Sequence, residues 1–282
     1  MLKTYYRIVV GIFITAFAVW NSGCNIINPS EPVATHVRID SFSFENGARH
    51  DIRYAWVYYN NNPVGAFDLP ATVPIIASGK GTLQIAPGIP IDGRGERPVA
   101  YPFFRIYSTE LNYEPGKIQT VSPTTGYYDS VKYTVISEFE GGLTKFAKYF
   151  GTTTITTTSV DSLKLDGTGT GLVMLPSSAD SSLDSTRISF KVPEGAAFIE
   201  FEYRSSVNMQ VAIRGILANS LITDFESRGI YPSSTWKKFY FNITSFVNKY
   251  PGGDYYLYIK TSVPSGQTNG KLLIDNIRLV TF

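Results

Sequence analysis

Tyr255–Thr261 reads YYLYIKT. Tyr255, Leu257 and Ile259 fall on one side of an extended chain and Tyr256, Tyr258 and Lys260 on the other, because successive strand side chains point to opposite faces. Neighbouring stretches repeat this period of two. In Trp236–Ile243 (WKKFYFNI), Phe239 and Phe241 alternate with Lys238, Tyr240 and Asn242, and in Phe198–Arg204 (FIEFEYR) the apolar Phe198, Ile199, Phe201 and Tyr203 are interleaved with Glu200 and Glu202. Met209–Ile213, Arg187–Val192 and Leu272–Val280 (LLIDNIRLV) extend the set, and Asp161–Asp166 reads as a strand end before Gly167. No stretch beyond residues 1–23 reads as a helix of three turns; Leu221–Ser227 and Thr244–Asn248 each read as about one turn. With 19 Tyr, 18 Phe, 24 Gly and 16 Pro, composition favours strands and turns.

The same pattern occupies the first half of the chain. Val37, Ile39, Phe42 and Phe44 alternate with polar residues, and Arg53–Tyr59 is a second strand closed by the turn residues Asn60-Asn61-Asn62-Pro63. Val64–Phe67, Val73–Ala77 and Thr82–Ala86 follow, the last two separated by Ser78-Gly79-Lys80-Gly81. Pro87–Pro102 is rich in Gly and Pro and is expected to be an ordered loop carrying Asp92, Arg94, Glu96 and Arg97. Phe103–Ser108 and Lys117–Val121 read as closing strands, and Tyr127–Val135 bridges to the second half.

Residues Met1–Arg7 carry Lys3 and Arg7 and no acid, and Ile8–Trp20 is uncharged and apolar for 13 residues. That is shorter than the roughly 20 residues a bilayer-spanning helix needs and suits a signal peptide. Asn21-Ser22-Gly23-Cys24 resembles the lipobox of bacterial lipoproteins, with Asn21 where the pattern prefers Leu. The resemblance implies lipid on Cys24, a tether at 24–35 and a membrane as partner. An Asp after the cysteine would mark inner-membrane retention; Asn25 stands there, so the outer membrane is expected. No acidic run occupies Asn25–Ser30, which favours the periplasmic face over the cell surface. The Tyr-rich, Thr/Ser-rich style resembles lipoproteins of Bacteroidetes. Cys24 is the one cysteine, so no internal disulfide can form. Without Lys3 and Arg7 the 25 basic residues become 23, equal to the 23 acidic ones. A neutral chain without a clustered basic face excludes a nucleic-acid partner.

Tyr58–Gly88 resembles the small β-sandwich modules of the PEGA and carboxypeptidase-regulatory type, which implies a spacer or assembly unit. Glu138-Phe139-Glu140-Gly141-Gly142 resembles the opening of galactose-binding-like jelly-roll carbohydrate-binding modules. Trp236–Ile243 resembles their "W-x-x-φ" strand, with Trp236 at a position that is structural in the family and so expected in the core. Leu272–Val280 resembles their "φ-x-IDN-φ-x-φ" ending. The expected architecture is all-β: a tether, an Ig-like or PEGA-like sandwich over 36–130 and a jelly roll over 131–282. In the resembling modules the opening acid and the last-strand Asp hold a structural Ca²⁺, here Glu140 (or Glu138) and Asp275, with backbone carbonyls completing the six to eight oxygens calcium takes. The alternative for Asp275 is a turn cap or an ion pair.

Catalytic signals are sparse. His36 and His50 are the two histidines, both read as surface residues, and thiolate chemistry has no thiol beyond Cys24. Gly167-Thr168-Gly169-Thr170-Gly171 lacks the Lys-Ser/Thr and helix of a phosphate loop. Glu138 with Glu140, and Glu200 with Glu202, share faces at strand spacing, as ordinary solvated pairs also do. The chain is therefore expected not to be an enzyme. Binding of a glycan is the leading expectation, with Tyr240, Tyr256, Tyr258, Arg204 and Arg214 as ligand contacts on one polar surface with Gln210, since sugars are held by aromatic faces and planar polar groups. The competing expectation is a non-catalytic assembly subunit of an envelope complex, in which that surface meets protein.

Overall fold

The computed structural model describes residues 31–93, 98–217, 220–221 and 224–282, together with Tyr5 and Arg7. The signal-peptide reading, Cys24, and Arg94, Glu96 and Arg97 lie outside the described residues. No described helix is long and apolar enough to cross a membrane.

The first ten strands are β1 (Thr35–Ile39), β2 (Ser43–Phe44), β3 (Tyr54–Tyr59), β4 (Asn62–Asp68), β5 (Ala71–Ile75), β6 (Gly79–Pro90), β7 (Pro98–Ala100), β8 (Tyr107–Tyr113), β9 (Ile118–Val121) and β10 (Thr124–Thr125). They pair among themselves, as β5-β1-β9, β10-β2 and β4-β3-β6-β7 with β8 along β6. Asn60 and Asn61 both hold positive φ, 46° and 64°, which is what a two-residue hairpin between right-twisted strands demands and asparagine tolerates. Val37, Ile39, Val73 and Ile75 meet Ala55, Val57, Leu83 and Ile85 to form this domain's core.

The remaining strands are β11 (Lys132–Ser137), β12 (Phe146–Gly151), β13 (Thr156–Thr158), β14 (Thr170–Leu175), β15 (Ser181–Thr186), β16 (Ala197–Ser205), β17 (Asn208–Leu217), β18 (Ser220–Leu221), β19 (Glu226–Ile230), β20 (Ser233–Asn242), β21 (Asp254–Ser262) and β22 (Gly270–Thr281), with one short helix, α1 (Thr244–Lys249). Two six-stranded sheets result. One runs β13-β14-β22-β16-β20 with β11 on β22, the other β12-β15-β21-β17-β18 with β19 on β17. They face each other across Phe201, Phe239, Phe241, Leu272 and Ile274 from one sheet and Val211, Ile213, Tyr255, Leu257 and Ile259 from the other. The chain is all-β and built of sandwiches.

The ending LLIDNIRLV owes its pattern to a bulge. Glu200 opposes Arg278 but Glu202 opposes Asp275, so β22 carries one residue more than β16 there. Asn276 supplies it at φ 50°. The extra residue exchanges the faces, so that Leu272 and Ile274 before it and Ile277 and Leu279 after it all enter the same core.

Several sequence expectations are corrected. Pro87–Pro102 is not free of regular structure: β6 runs on to Pro90 and β7 lies within it, because Gly88 and Ile89 continue the ladder against Tyr54 and Val99. Phe103 and Phe104 do not form a closing strand; both are buried at the junction of the two domains. Asp161–Asp166 is turns, Arg187–Val192 contributes one isolated bridge at Phe190, and the strand in that region is Ser181–Thr186. Of Leu221–Ser227, expected as about one helical turn, Leu221 ends β18 and Glu226 and Ser227 open β19, while residues 222–223 lie outside the described ones. β15 escapes sequence reading because Ser182, Asp184 and Thr186 point inward and Leu183 outward, opposite to the apolar-in rule. Most of their polar atoms find partners inside: Ser182 and Thr261 hydroxyls meet at 2.9 Å, Thr186 Oγ1 accepts from the Leu257 amide, and Asp184 Oδ1 accepts from Thr154 and the Ile155 amide, while Asp184 Oδ2 has no hydrogen-bond partner.

Candidate functional site

The jelly roll has two outer faces, and the first domain occupies one of them. On that face Glu200 is fully buried. Its carboxylate accepts from Tyr101 Oη at 2.5 Å and Tyr127 Oη at 2.7 Å, both from the first domain's side of the junction, and is ion-paired with Lys238 at 2.9 Å and Arg278 at 2.8 Å. Burial pushes this carboxyl up, but Lys238, Arg278 and the tyrosine hydrogen bonds outweigh it and hold it at about 2. Around the network, Ile89, Tyr101, Phe103 and Phe104 pack on Phe198, Tyr240 and Val280. Asp92 adds a latch, accepting from Arg228 Nε at 2.5 Å and from the Asn242 amide at 3.2 Å.

Tyr240 therefore is not a ligand contact. Its alternation was read correctly, but the face it shares with Lys238 is covered: Tyr240 is 1% exposed and its hydroxyl accepts from the Asp51 amide. Glu200 and Glu202 are likewise no solvated pair, both being buried around Lys238. Arg204 also lies on this sheet, away from the other proposed contacts, with its guanidinium 5.5 Å from the Trp236 ring and donating to the Ser162 carbonyl. Trp236 is half-buried under Arg204 and not in the core. Both histidines are half-buried, His50 stacked 5.5 Å from Phe44 with its imidazole pushed down mainly by burial.

The second sheet's outer face is where the remaining expected contacts converge. On β17 and β21 the register sets Arg214 opposite Tyr256, Ala212 opposite Tyr258 and Gln210 opposite Lys260. Tyr149 of β12 stands edge-on to Tyr258, rings 5.5 Å apart at 86°. Phe225, Leu183, Ala212 and Gln210 join Tyr149, Tyr258, Arg214 and Lys260 in lining a groove of about 200 Å³. Tyr149 is 63% and Phe225 56% exposed, so the rings offer faces and edges to solvent. Burial and Tyr149 raise the Tyr258 phenol while Arg214 lowers it. Gln210 Nε2 is held by Ser227 Oγ at 3.2 Å. Sequence reasoning missed Tyr149 and Phe225, because neither falls in an alternating segment: Tyr149 sits at the β12 bulge between Lys148 and Phe150.

A groove this small falls below the roughly 300–1,000 Å³ of enclosed small-molecule sites and is an open platform. The larger cavity, about 680 Å³, lies at the domain junction and is lined by Arg49, Glu138, Asp166, Glu202, Lys238 and Arg278 among others. It mixes both signs of charge without an aromatic ring, and Lys238 and Arg278 are already committed to Glu200.

The metal expectation falls at the opening turn. Phe139 is buried with φ 58°, and Glu140 accepts from the Thr168 amide at 2.8 Å and from the Thr168 hydroxyl. Asp275 accepts from Thr170 Oγ1 at 2.6 Å and the Asn276 amide at 2.8 Å. Burial, with Asp166 and Glu140 adding to it, raises the Asp275 carboxyl to about 6 against those hydrogen bonds. Gly167 and Gly169 have no room for a Cβ, which would strike the Glu140 carboxylate and the Phe139 carbonyl. Among the described residues no three His, Cys, Asp or Glu side chains are grouped to hold a metal.

No family model matches the chain, and no curated protein matches it. Among solved structures, a family 30 carbohydrate-binding module of a Clostridium thermocellum cellulosomal cellulase aligns with 52% of this chain and 96% of its own, at 8% identity and TM-score 0.41. The family 11 module of another cellulase of that organism aligns over 54% and 95%, at 15% identity and TM-score 0.37. The enzymatically active domain of bacteriophage CBA120 tailspike protein 4 aligns with 57% of this chain, at 14% identity and TM-score 0.42; the match spans 26% of that domain. At this level of similarity the architecture rests on the strand pairings themselves.

Proposed function

We propose that the chain is a non-catalytic, membrane-anchored protein that binds a glycan across the outer face of β17 and β21. The observation that carries this is the exposed Tyr149 ring set edge-on to the half-buried Tyr258, in a groove also lined by Arg214, Gln210 and Lys260, on a sheet face that the first domain leaves open. Sugars present apolar C–H faces to rings and hydroxyls to planar donors, and this face supplies both. The carboxylate pairs that hydrolysis would need are engaged elsewhere, Glu200 and Glu202 with Lys238 and Glu140 with Thr168. A screen of the purified protein on immobilised polysaccharides tests the reading: retention on one glycan class supports it, and a blank from a folded sample shifts the reading to an assembly subunit.

Two further parts of the reading have their own tests. Lipid on Cys24 would hold the protein at the outer membrane, since several acyl chains, at about 0.8 kcal/mol per buried CH₂, give stable anchoring. Cys24→Ala is expected to move the protein to the soluble fraction, and unchanged membrane fractionation would contradict it. At the opening turn, Glu140 and Asp275 with hydroxyls and carbonyls around them are hard oxygen donors suited to Ca²⁺, which would neutralise the close carboxylates. Calcium is expected to raise the melting temperature of the EDTA-treated protein by several degrees, and Asp275→Asn to abolish the rise; a melting temperature indifferent to calcium would remove the ion.

A further inference from the structure

We propose that the joint between the two domains holds a second saccharide-binding subsite, built from both of them and taking a neutral sugar residue. The ligand's class rests on the glycan reading above. Another groove, of about 590 Å³, lies where Asp51, Arg53 and Gly93 of the first domain meet Asn208, Met209, Ile230, Tyr231 and Phe239 of the jelly roll. Its size falls within the roughly 300–1,000 Å³ of small-molecule sites, which the outer-face groove does not reach. Tyr231 stands between β19 and β20 and is 86% exposed, while its backbone carbonyl accepts from the buried Tyr203 hydroxyl at 3.3 Å. The turn is thus tied down and the ring is left to solvent. Met209, Ile230 and Phe239 are buried and give the groove apolar lining. The first domain comes up to them closely: a Cβ on Gly93 would sit 2.8 Å from the Phe239 ring.

The acidic groups of this groove are already matched. Arg53 donates from Nε and Nη2 to the two oxygens of Asp51, at 2.7 Å each, and Asp92, which also lines the groove, accepts from Arg228 Nε at 2.5 Å. Such a pair has no net charge, yet the guanidinium keeps further N–H donors and the carboxylate further lone pairs. The exposed side chains of Asn208 and Lys237 add to them. A ring beside paired planar groups suits a neutral sugar, whose C–H face stacks and whose hydroxyls both donate and accept. Asn208 also links this groove to the other. It shares the outward side of β17 with Gln210, Ala212 and Arg214, which line the outer-face groove, so a glycan chain laid along β17 reaches both.

The test is affinity electrophoresis of the full-length protein in gels containing, one at a time, mixed-linked β-glucan, xylan, galactomannan and polygalacturonate. Wild type is compared with Tyr231→Ala, Asn208→Ala, Tyr258→Ala and the double variant of the two tyrosines, with a thermal melt of each to check folding. The expected result is retardation by a neutral polymer, about tenfold weaker in Tyr231→Ala and weakened in Asn208→Ala. Tyr258→Ala keeps a remnant of the binding, and the double variant none. Tyr231→Ala and Asn208→Ala retarded like wild type, with Tyr258→Ala weakened, would overturn the subsite and leave the glycan reading standing. Retardation by polygalacturonate alone would overturn the neutral class. A folded wild-type protein that none of the four polymers retards would overturn the subsite, and a blank in the wider polysaccharide screen would remove the glycan reading with it.

Discussion

Glu200→Ala is expected to cost about 3–5 kcal/mol of stability, the effect of removing one partner from a buried, hydrogen-bonded charge network. The substitution takes from Lys238, whose side chain is 4% exposed, its shorter ion pair and leaves it Glu202 at 3.5 Å, and it takes the acceptor from Tyr101 and Tyr127. Against a total of about 5–15 kcal/mol for a domain, such a loss is a large fraction. Tyr101 and Tyr127 belong to the joint between the domains, so the variant loosens that joint as well as the jelly roll. Urea unfolding followed by circular dichroism reads the change, and a loss below about 1 kcal/mol would show the network to be dispensable. Acid acts on the same group. A carboxyl held at about 2 in the fold, against an ordinary 4.5, contributes stability that is complete above pH 4.5 and is lost as pH falls towards 2. Wild-type protein is expected to weaken through that window more steeply than Glu200→Gln.

Tyr258→Ala is expected to weaken glycan binding by about 30-fold or more, corresponding to about 2 kcal/mol for a central aromatic contact, while the fold survives. The ring is half-buried and stands edge-on to Tyr149, a contact worth about 0.5–1.5 kcal/mol. The separation between a large binding loss and a small stability loss distinguishes a ligand platform from ordinary sheet surface. Calorimetric titration beside a thermal melt measures both, and a variant that binds as well as wild type would show that ring not to be the platform.

The contrast between Tyr258 and Tyr240 marks how far the sequence could be read. Alternation in WKKFYFNI and YYLYIKT assigned each tyrosine to the face opposite the core, and both assignments hold. Periodicity says which side chains share a face, not what lies against that face. On β20 the first domain covers it, through Tyr101, near the end of a segment whose Gly and Pro content suggested a loop, and through Phe103 and Phe104, which read as the start of a strand. On β21 nothing among the described residues buries it. The same blindness made Glu200 look solvated, since a glutamate at an outward position carries no mark of the Lys238 and Arg278 that enclose it. β15 was missed for the converse reason. Its inward Ser182, Asp184 and Thr186 are bonded to distant partners such as Thr261, Thr154 and Leu257, and no local pattern announces them. Legible throughout were the strands with apolar inward faces, the Asn60-Asn61 turn and the LLIDNIRLV ending, whose physical content is a bulge at Asn276.

The most direct test of the central claim is amide hydrogen exchange with and without a bound polysaccharide, since it locates the ligand without any substitution. The account predicts slowed exchange in 208–214 and 256–260, the strands that carry Gln210, Arg214 and Tyr258. Slowing confined to 236–242, on the sheet that the first domain covers, would contradict it.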